Sequence, residues 1–131
     1  MANPDIRVAV TAEIRDWLAR QLAAGTVILI PEIADYELRR ELIRLDRKRS
    51  LARLDLMHTE LQYLPLDTPT MRRAAQFWAQ ARQQGLPTAD PKALDADVIL
   101  AAQAEQAGAV IATENVAHID RFVTAMHWRD L

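Results

Sequence analysis

The chain has 131 residues and a formal net charge of −2, with half its residues hydrophobic and 26% charged; this balance suits one folded domain and excludes a disordered or coiled-coil chain. It holds no cysteine, which excludes a disulfide scaffold and thiolate chemistry, and no apolar run approaches the ~18 residues of a membrane span. The start lacks the basic region and apolar core of a signal peptide, so a cytoplasmic protein without membrane contact is expected.

In chain order, Asn3, Pro4 and Asp5 read as a helix start, with Asn3 as N-cap and Pro4 at the first helical position, where its missing N–H costs nothing. Ile6, Val10, Ile14, Trp17, Leu18 and Leu22 follow at helical spacing, and Gly25 ends the helix. Residues 26–30 form a continuous, β-branched apolar run closed by Pro31, the pattern of a buried parallel strand. Residues 32–45 return to helical spacing. A further helix is predicted from Ser50, its cap, to about Leu61, with Leu51, Leu54, Leu56 and Met57 as its apolar side. Residues 61–66 read as a strand that Pro65 demotes to an edge.

Asp67 or Thr68 caps the next helix, whose apolar positions are Met71, Ala74, Ala75, Trp78 and Ala81, and Gly85 and Pro87 stop it. After a short loop, a helix entered around Asp95 runs to Gly108. Residues 109–112 make a second buried strand, 115–122 at least one helical turn, and 126–131 a final short strand. With no repeat or linker, residues 1–131 read as one domain, and the alternation of helices with short apolar strands predicts a three-layer α/β/α sandwich.

Charge is unevenly spread. Residues 38–54 carry Arg39, Arg40, Arg44, Arg47, Lys48, Arg49 and Arg53 against Glu41 and Asp46, so this stretch is about +5 and the remainder about −7. Such a strip suits phosphate contacts with RNA; it equally suits a solvated pair of amphipathic helices.

The residues with chemistry to offer are acidic. Asp95 and Asp97 lie where a helix begins, and Glu114 and Asn115 close the following strand; in a parallel sheet such places border the crevice outside the strand ends. The order Ile30-Pro31-Glu32-Ile33-Ala34-Asp35-Tyr36-Glu37-Leu38, then Asp97-Val98-Ile99-Leu100-Ala101-Ala102, then Ile111-Ala112-Thr113-Glu114-Asn115 with His118 and Phe122 downstream, resembles PIN domains. It is most similar to VapC-type toxin nucleases and related bacterial stand-alone PIN proteins, from about Val27 to the C-terminus. The resemblance implies an α/β fold with a short parallel sheet that gathers three or four acidic side chains around Mg²⁺ or Mn²⁺ and hydrolyses RNA. Position by position, the acidic residue of the early helix falls on Glu37 and that of the later helix on Asp97. The fourth position falls on Asn115, where relatives carry Asp or Asn. Asp95 is placed to assist, although two residues of helix turn it about 200° from Asp97. The basic strip (Arg40, Arg44, Arg47, Lys48, Arg49) is the expected RNA contact.

One departure is large. PIN domains begin with a central apolar strand ending in Asp, whereas this sequence opens at Met1-Ala2-Asn3 and enters a helix at once. The usual first strand and its metal-binding Asp have no counterpart; Asp5 reads better as a first-turn residue facing the helix dipole. The expectation is therefore a PIN-like ribonuclease, N-terminally truncated relative to the family pattern, with weak or lost activity. The alternative is an inactive PIN-like module that binds RNA or a protein partner such as an antitoxin. The resemblance also implies a homodimer, for which apolar residues within 38–57 are available.

Plainer roles compete. Asp95 and Asp97 suit a helix N-cap or first turn, Glu37 a solvated face with i,i+4 partners, and Asn115 a turn. His118 and His127 fit packing or surface roles, His58 an exposed one, and Trp17 and Trp78 the core. No phosphate-binding glycine loop, HExxH motif or Ser-His-Asp order is present.

Overall fold

The computed structural model describes residues 16–85, 91–113 and 116–131, with 91–93 and 118 as backbone only. The expectations on Asn3, Asp5 and Asn115 lie outside these residues, as does the loop at 86–90. Helix α1 is described over 16–23 and is followed by Gly25 at φ 80°, a conformation glycine adopts without a Cβ clash. Next come β1 (Leu29–Pro31), α2 (Glu32–Arg44), α3 (Lys48–Glu60), β2 (Gln62–Leu64), α4 (Thr68–Gln83), α5 (Pro91–Ala107), β3 (Ile111–Thr113), α6 (Val116–Ile119), β4 (Ala125–His127) and a 3₁₀ turn over Trp128–Asp130. Among the described residues no helix is long and apolar enough to cross a membrane.

The pairing is parallel throughout, as expected, but the described strands form two separate two-stranded sheets. β1 pairs with β2 in the register Ile30↔Tyr63, and β3 with β4 in the register Ala112↔Met126. Each strand spans three residues, so the apolar runs overstate the sheet. Only Ile30 of the first run and Ile111 of the second are buried, while Val27 is 66% and Val110 49% exposed. A strand covered on one side has no need of a continuous apolar run.

Helix α5 joins the two halves. Against α4 it builds one core from Ala74, Phe77, Ala81, Leu94, Val98 and neighbouring alanines; its far end builds a second with Ile111, Ile119 and Ala125. Ala101 and Ala102 are fully buried, and small side chains there let neighbouring elements approach closely. Asp67 caps α4 by accepting from the Thr70 N–H at 2.8 Å, which satisfies one orphan donor of the first turn. Arg73 clamps the outer edge of the helix pair, donating to Glu105 at 2.8 Å while its guanidinium lies 4.1 Å from the Phe77 ring centroid.

Two local expectations change. Helix α3 begins at Lys48 after Arg47, without a side-chain cap, so Ser50 lies inside it. Asp46 (φ 53°) turns the chain between α2 and α3, a left-handed position that Asp tolerates. Trp78 is not core but 41% exposed, because the face of α4 that meets α5 is Thr70, Ala74, Phe77 and Ala81. Trp17, half-buried, meets Trp128 edge-on at 6.3 Å.

Candidate active site on the facing sides of two helices

Helix α2 starts directly after Pro31, which supplies no side-chain cap. The missing cap comes from α5. Gln103, 1% exposed, accepts from the Ile33 N–H at 3.3 Å and donates to the Leu64 carbonyl at 2.8 Å. One amide thus ties the first turn of α2, the end of β2 and α5 together. Glu32 adds a second tie, accepting from the Leu66 N–H at 2.7 Å.

Packed this way, α2 and α5 run antiparallel, and one turn beyond Ile33 the face of α2 carries Glu37. Its carboxyl sits above the ordinary glutamate value of 4.5, first because burial disfavours its charge and also because Asp97 repels it, while Arg40 works in the opposite direction. The Arg40 guanidinium lies 3.9 Å from the Glu37 carboxylate. The two acids thus lie close enough across the α2–α5 junction for the charge of Asp97 to act on Glu37. Asp97 is more than a turn inside α5, which begins at Pro91 rather than near Asp95, so neither aspartate is an N-cap.

Asp95 is not brought to this pair. It is exposed and lines a concavity between α4 and α5 with Met71, Trp78 and Ile99, as the rotation of about 200° over two helical residues requires. Among the described residues no group of three or more His, Cys, Asp or Glu side chains could hold a metal ion. The site as described is therefore two carboxylates, Glu37 and Asp97.

The basic strip divides by role. Arg39 donates to Asp35 at 3.0 and 3.1 Å and to Asp55 at 2.8 Å, and Arg44 pairs with Glu41 at 2.7 Å. Arg40 lies over the Tyr36 ring beside Glu37. Arg47, Lys48 and Arg49 are exposed around the α2–α3 turn, and Arg53 is exposed further along α3.

His58 is not an exposed bystander. Its Nε2 shares a 2.6 Å hydrogen bond with Asp35 Oδ1, and its ring stacks at a tilt on Tyr63 at 4.7 Å. No spacing rule announces this cluster, because its members come from α2, α3 and β2; only the i,i+4 pair Asp35–Arg39 was visible in the sequence. The Arg39 guanidinium, with help from His58, holds the Asp35 carboxyl below the ordinary value of 3.8 despite burial. A carboxylate depressed in the fold adds stability that is present above its unfolded value and lost as pH falls through its folded one. Asp35→Asn is thus expected to flatten the fall in melting temperature on acidification below about pH 4. An unchanged acid limb in calorimetry would show that other carboxylates set it. His127 accepts from the Arg129 N–H at 3.1 Å and stacks on Trp128, a local packing role.

Parallel strands and facing acidic helices of this order define an α/β domain of the PIN type. A family model described as PIN domain matches residues 9–122, and the chain belongs to the PIN domain family. A search of curated proteins finds no match. Among solved structures it is similar to VapBC-1 from nontypeable Haemophilus influenzae, with TM-score 0.73, 16% identity, and coverage of 95% of this chain and 93% of that one. It is also similar to DNA-bound VapBC from Salmonella typhimurium, with TM-score 0.70, 24% identity, and coverage of 88% and 83%. The expected fold class, α/β with short parallel pairing, is thereby shown.

Proposed function

We propose that the protein is a toxin-type PIN ribonuclease with Glu37 and Asp97 at its centre. The observation that carries the reading is that these two carboxyls, from different helices, lie close enough for the charge of Asp97 to act on Glu37. Carboxylate oxygens are the donors a hard divalent cation such as Mg²⁺ or Mn²⁺ takes, so the residues fit in kind. In number they are few, and a site of two charges binds weakly. When bound, such an ion polarises a phosphoryl oxygen and lowers the pKa of water. The chain's own part is to hold two carboxylates at a fixed separation on rigid helices, with Arg40 moderating the charge of Glu37. Asn115, outside the described residues, remains the proposed neutral member. Arg47, Lys48 and Arg49 neutralise RNA phosphates and release counterions.

The large exposed side chains Leu38, Ile43 and Leu56 on α2 and α3 favour a second reading that is compatible with the first, namely a surface for a protein partner such as an antitoxin. Exposed aliphatic groups of this size mark interaction surfaces when they gather on one side of a fold.

With mixed RNA as substrate, slow cleavage is expected in Mg²⁺ or Mn²⁺, none in chelator, and none for Glu37→Gln. Replacing Arg47, Lys48 and Arg49 with Gln is expected to reduce the salt slope of RNA binding by about 2, at roughly 0.7 per phosphate contact. RNA binding with unchanged slope removes the strip from the interface. RNA binding without any metal-dependent cleavage turns the proposal into the inactive RNA-binding module.

A further inference from the structure

Directly before Glu37 in the chain stands Tyr36, an aromatic side chain that the fold leaves 55% exposed. Two sides of α2 are already taken: Gln103 of α5 ties its first turn at Ile33, and Asp55 and His58 of α3 hold Arg39 and Asp35. Tyr36 belongs to neither side, lying about 100° around the helix from both Asp35 and Glu37. Arg40, one turn further on, lies over its ring, with the guanidinium carbon 5.1 Å from the centroid. With one face of the ring covered in this way, the exposure of Tyr36 falls to the other face and the edge.

Arg40 differs from the arginines beside it. Arg39 makes bonds of 2.8–3.1 Å to Asp35 and Asp55, and Arg44 pairs with Glu41 at 2.7 Å. Among the described residues the ion pair of Arg40 is to Glu37 at 3.9 Å, well beyond the roughly 2.7–2.9 Å of a charge-assisted hydrogen bond, and its side chain is 54% exposed. An open aromatic face, a loosely held guanidinium and a carboxylate of the candidate active site thus stand side by side within one turn of α2. That is what a nucleotide calls for, a flat surface for the base and a cation for the phosphate. Arg47, Lys48 and Arg49, all exposed, continue the positive charge beyond the end of the helix, so the surface complements a chain of phosphates rather than one isolated charge.

We propose that Tyr36 is a substrate-positioning residue: the base of one unpaired nucleotide stacks on its open face, and Arg40 takes the adjoining phosphate, which brings the neighbouring phosphodiester to Glu37 and Asp97. The inference rests on the ribonuclease reading and adds a condition on the substrate. A base inside a duplex keeps its faces against its neighbours, so the nucleotide at Tyr36 is single-stranded. Every base has a π-face, so the ring selects for an unpaired nucleotide and tolerates its identity.

Binding is read by fluorescence anisotropy with a labelled single-stranded RNA of mixed sequence, and with the same strand annealed to its complement. The titrations are made in chelator, and again in Mg²⁺ on the Glu37→Gln background, so that cleavage does not enter. Tyr36→Ala is expected to weaken single-strand binding about 5- to 100-fold, the worth of one stacked base, to leave duplex binding unchanged, and to keep the melting temperature; Tyr36→Trp is expected to restore affinity. In a series of strands each lacking one base, a single abasic position should cost the wild type as much as Tyr36→Ala costs with the intact strand, and cost the variant nothing further, the non-additivity of two partners in one contact. Equal affinity of wild type and Tyr36→Ala for the single strand, or an equal loss on single strand and duplex, overturns the proposal and leaves the ribonuclease reading standing. A loss in Tyr36→Ala with no sensitive abasic position overturns it too, because the ring then acts without a base on it. A protein that binds neither RNA under either condition overturns both.

Discussion

Asp97→Asn is expected to lower the Glu37 carboxyl and to remove metal-induced stabilisation in the same protein. Burial and the Asp97 charge both push Glu37 up, and Arg40 pulls it down; neutralising Asp97 deletes one upward influence and leaves the others in place. Followed by NMR of the Glu37 carboxyl without metal, its titration midpoint should move toward 4.5, the ordinary value. Arg40→Gln should move it the other way. The sign for stability follows. A carboxyl raised in the fold opposes folding once it ionises, so this site is least costly below the unfolded value and most costly above the folded one. The Asn variant should therefore lose less stability as pH rises through that window. With Mn²⁺ the direction reverses, because the wild type gains from binding and the variant does not. Loss of a residue merely behind a metal ligand costs about 10–100-fold in affinity, and loss of a carboxylate ligand should exceed that. Identical Glu37 titration in both proteins would separate the two acids and dissolve the site.

Gln103→Leu is expected to destabilise the protein by about 2–5 kcal/mol. Leucine keeps the volume in α5 but leaves the Ile33 N–H and the Leu64 carbonyl without the amide that serves both. An unsatisfied buried donor or acceptor costs about 1–3 kcal/mol, and small domains hold only about 5–15 kcal/mol in total. Urea denaturation read by circular dichroism, with exposed Gln84→Leu as control, tests this. A cost below about 0.5 kcal/mol, the range of ordinary surface changes, would mean that water replaces the amide. The substitution should also blur the Glu37–Asp97 contact, since the same amide sets how α2 lies on α5.

What was legible followed short-range rules. Asp67 was expected as a cap, and it accepts from Thr70; Pro65 was expected to limit its strand, and β2 ends at Leu64. The run Asp97 to Ala102 carried the family resemblance because its small and branched residues make α5 apolar enough to cross the molecule. Other features escaped because their causes are distant in sequence. Trp78 sits on a helical spacing that suits a core, yet the choice between two adjacent stripes of α4 was settled by which one fits α5. His58 stood in a basic stretch with nothing nearby to bury it; Asp35, on the preceding helix, does so.

The sequence by itself determined the succession of helices and short strands, the lack of cysteine, and the resemblance to a family that the family model bears out. Periodicity, caps and proline act within a few residues, so they are written locally. The tertiary structure alone decided that the described strands form two parallel pairs rather than one sheet, that a glutamine of α5 caps α2, and that Asp97 lies near enough to Glu37 for its charge to be felt while Asp95 lines a concavity against α4. Those outcomes depend on which faces bury against which. Burial is a property of the assembled chain, so side-chain charge, exposure and partner are fixed only once the helices have packed.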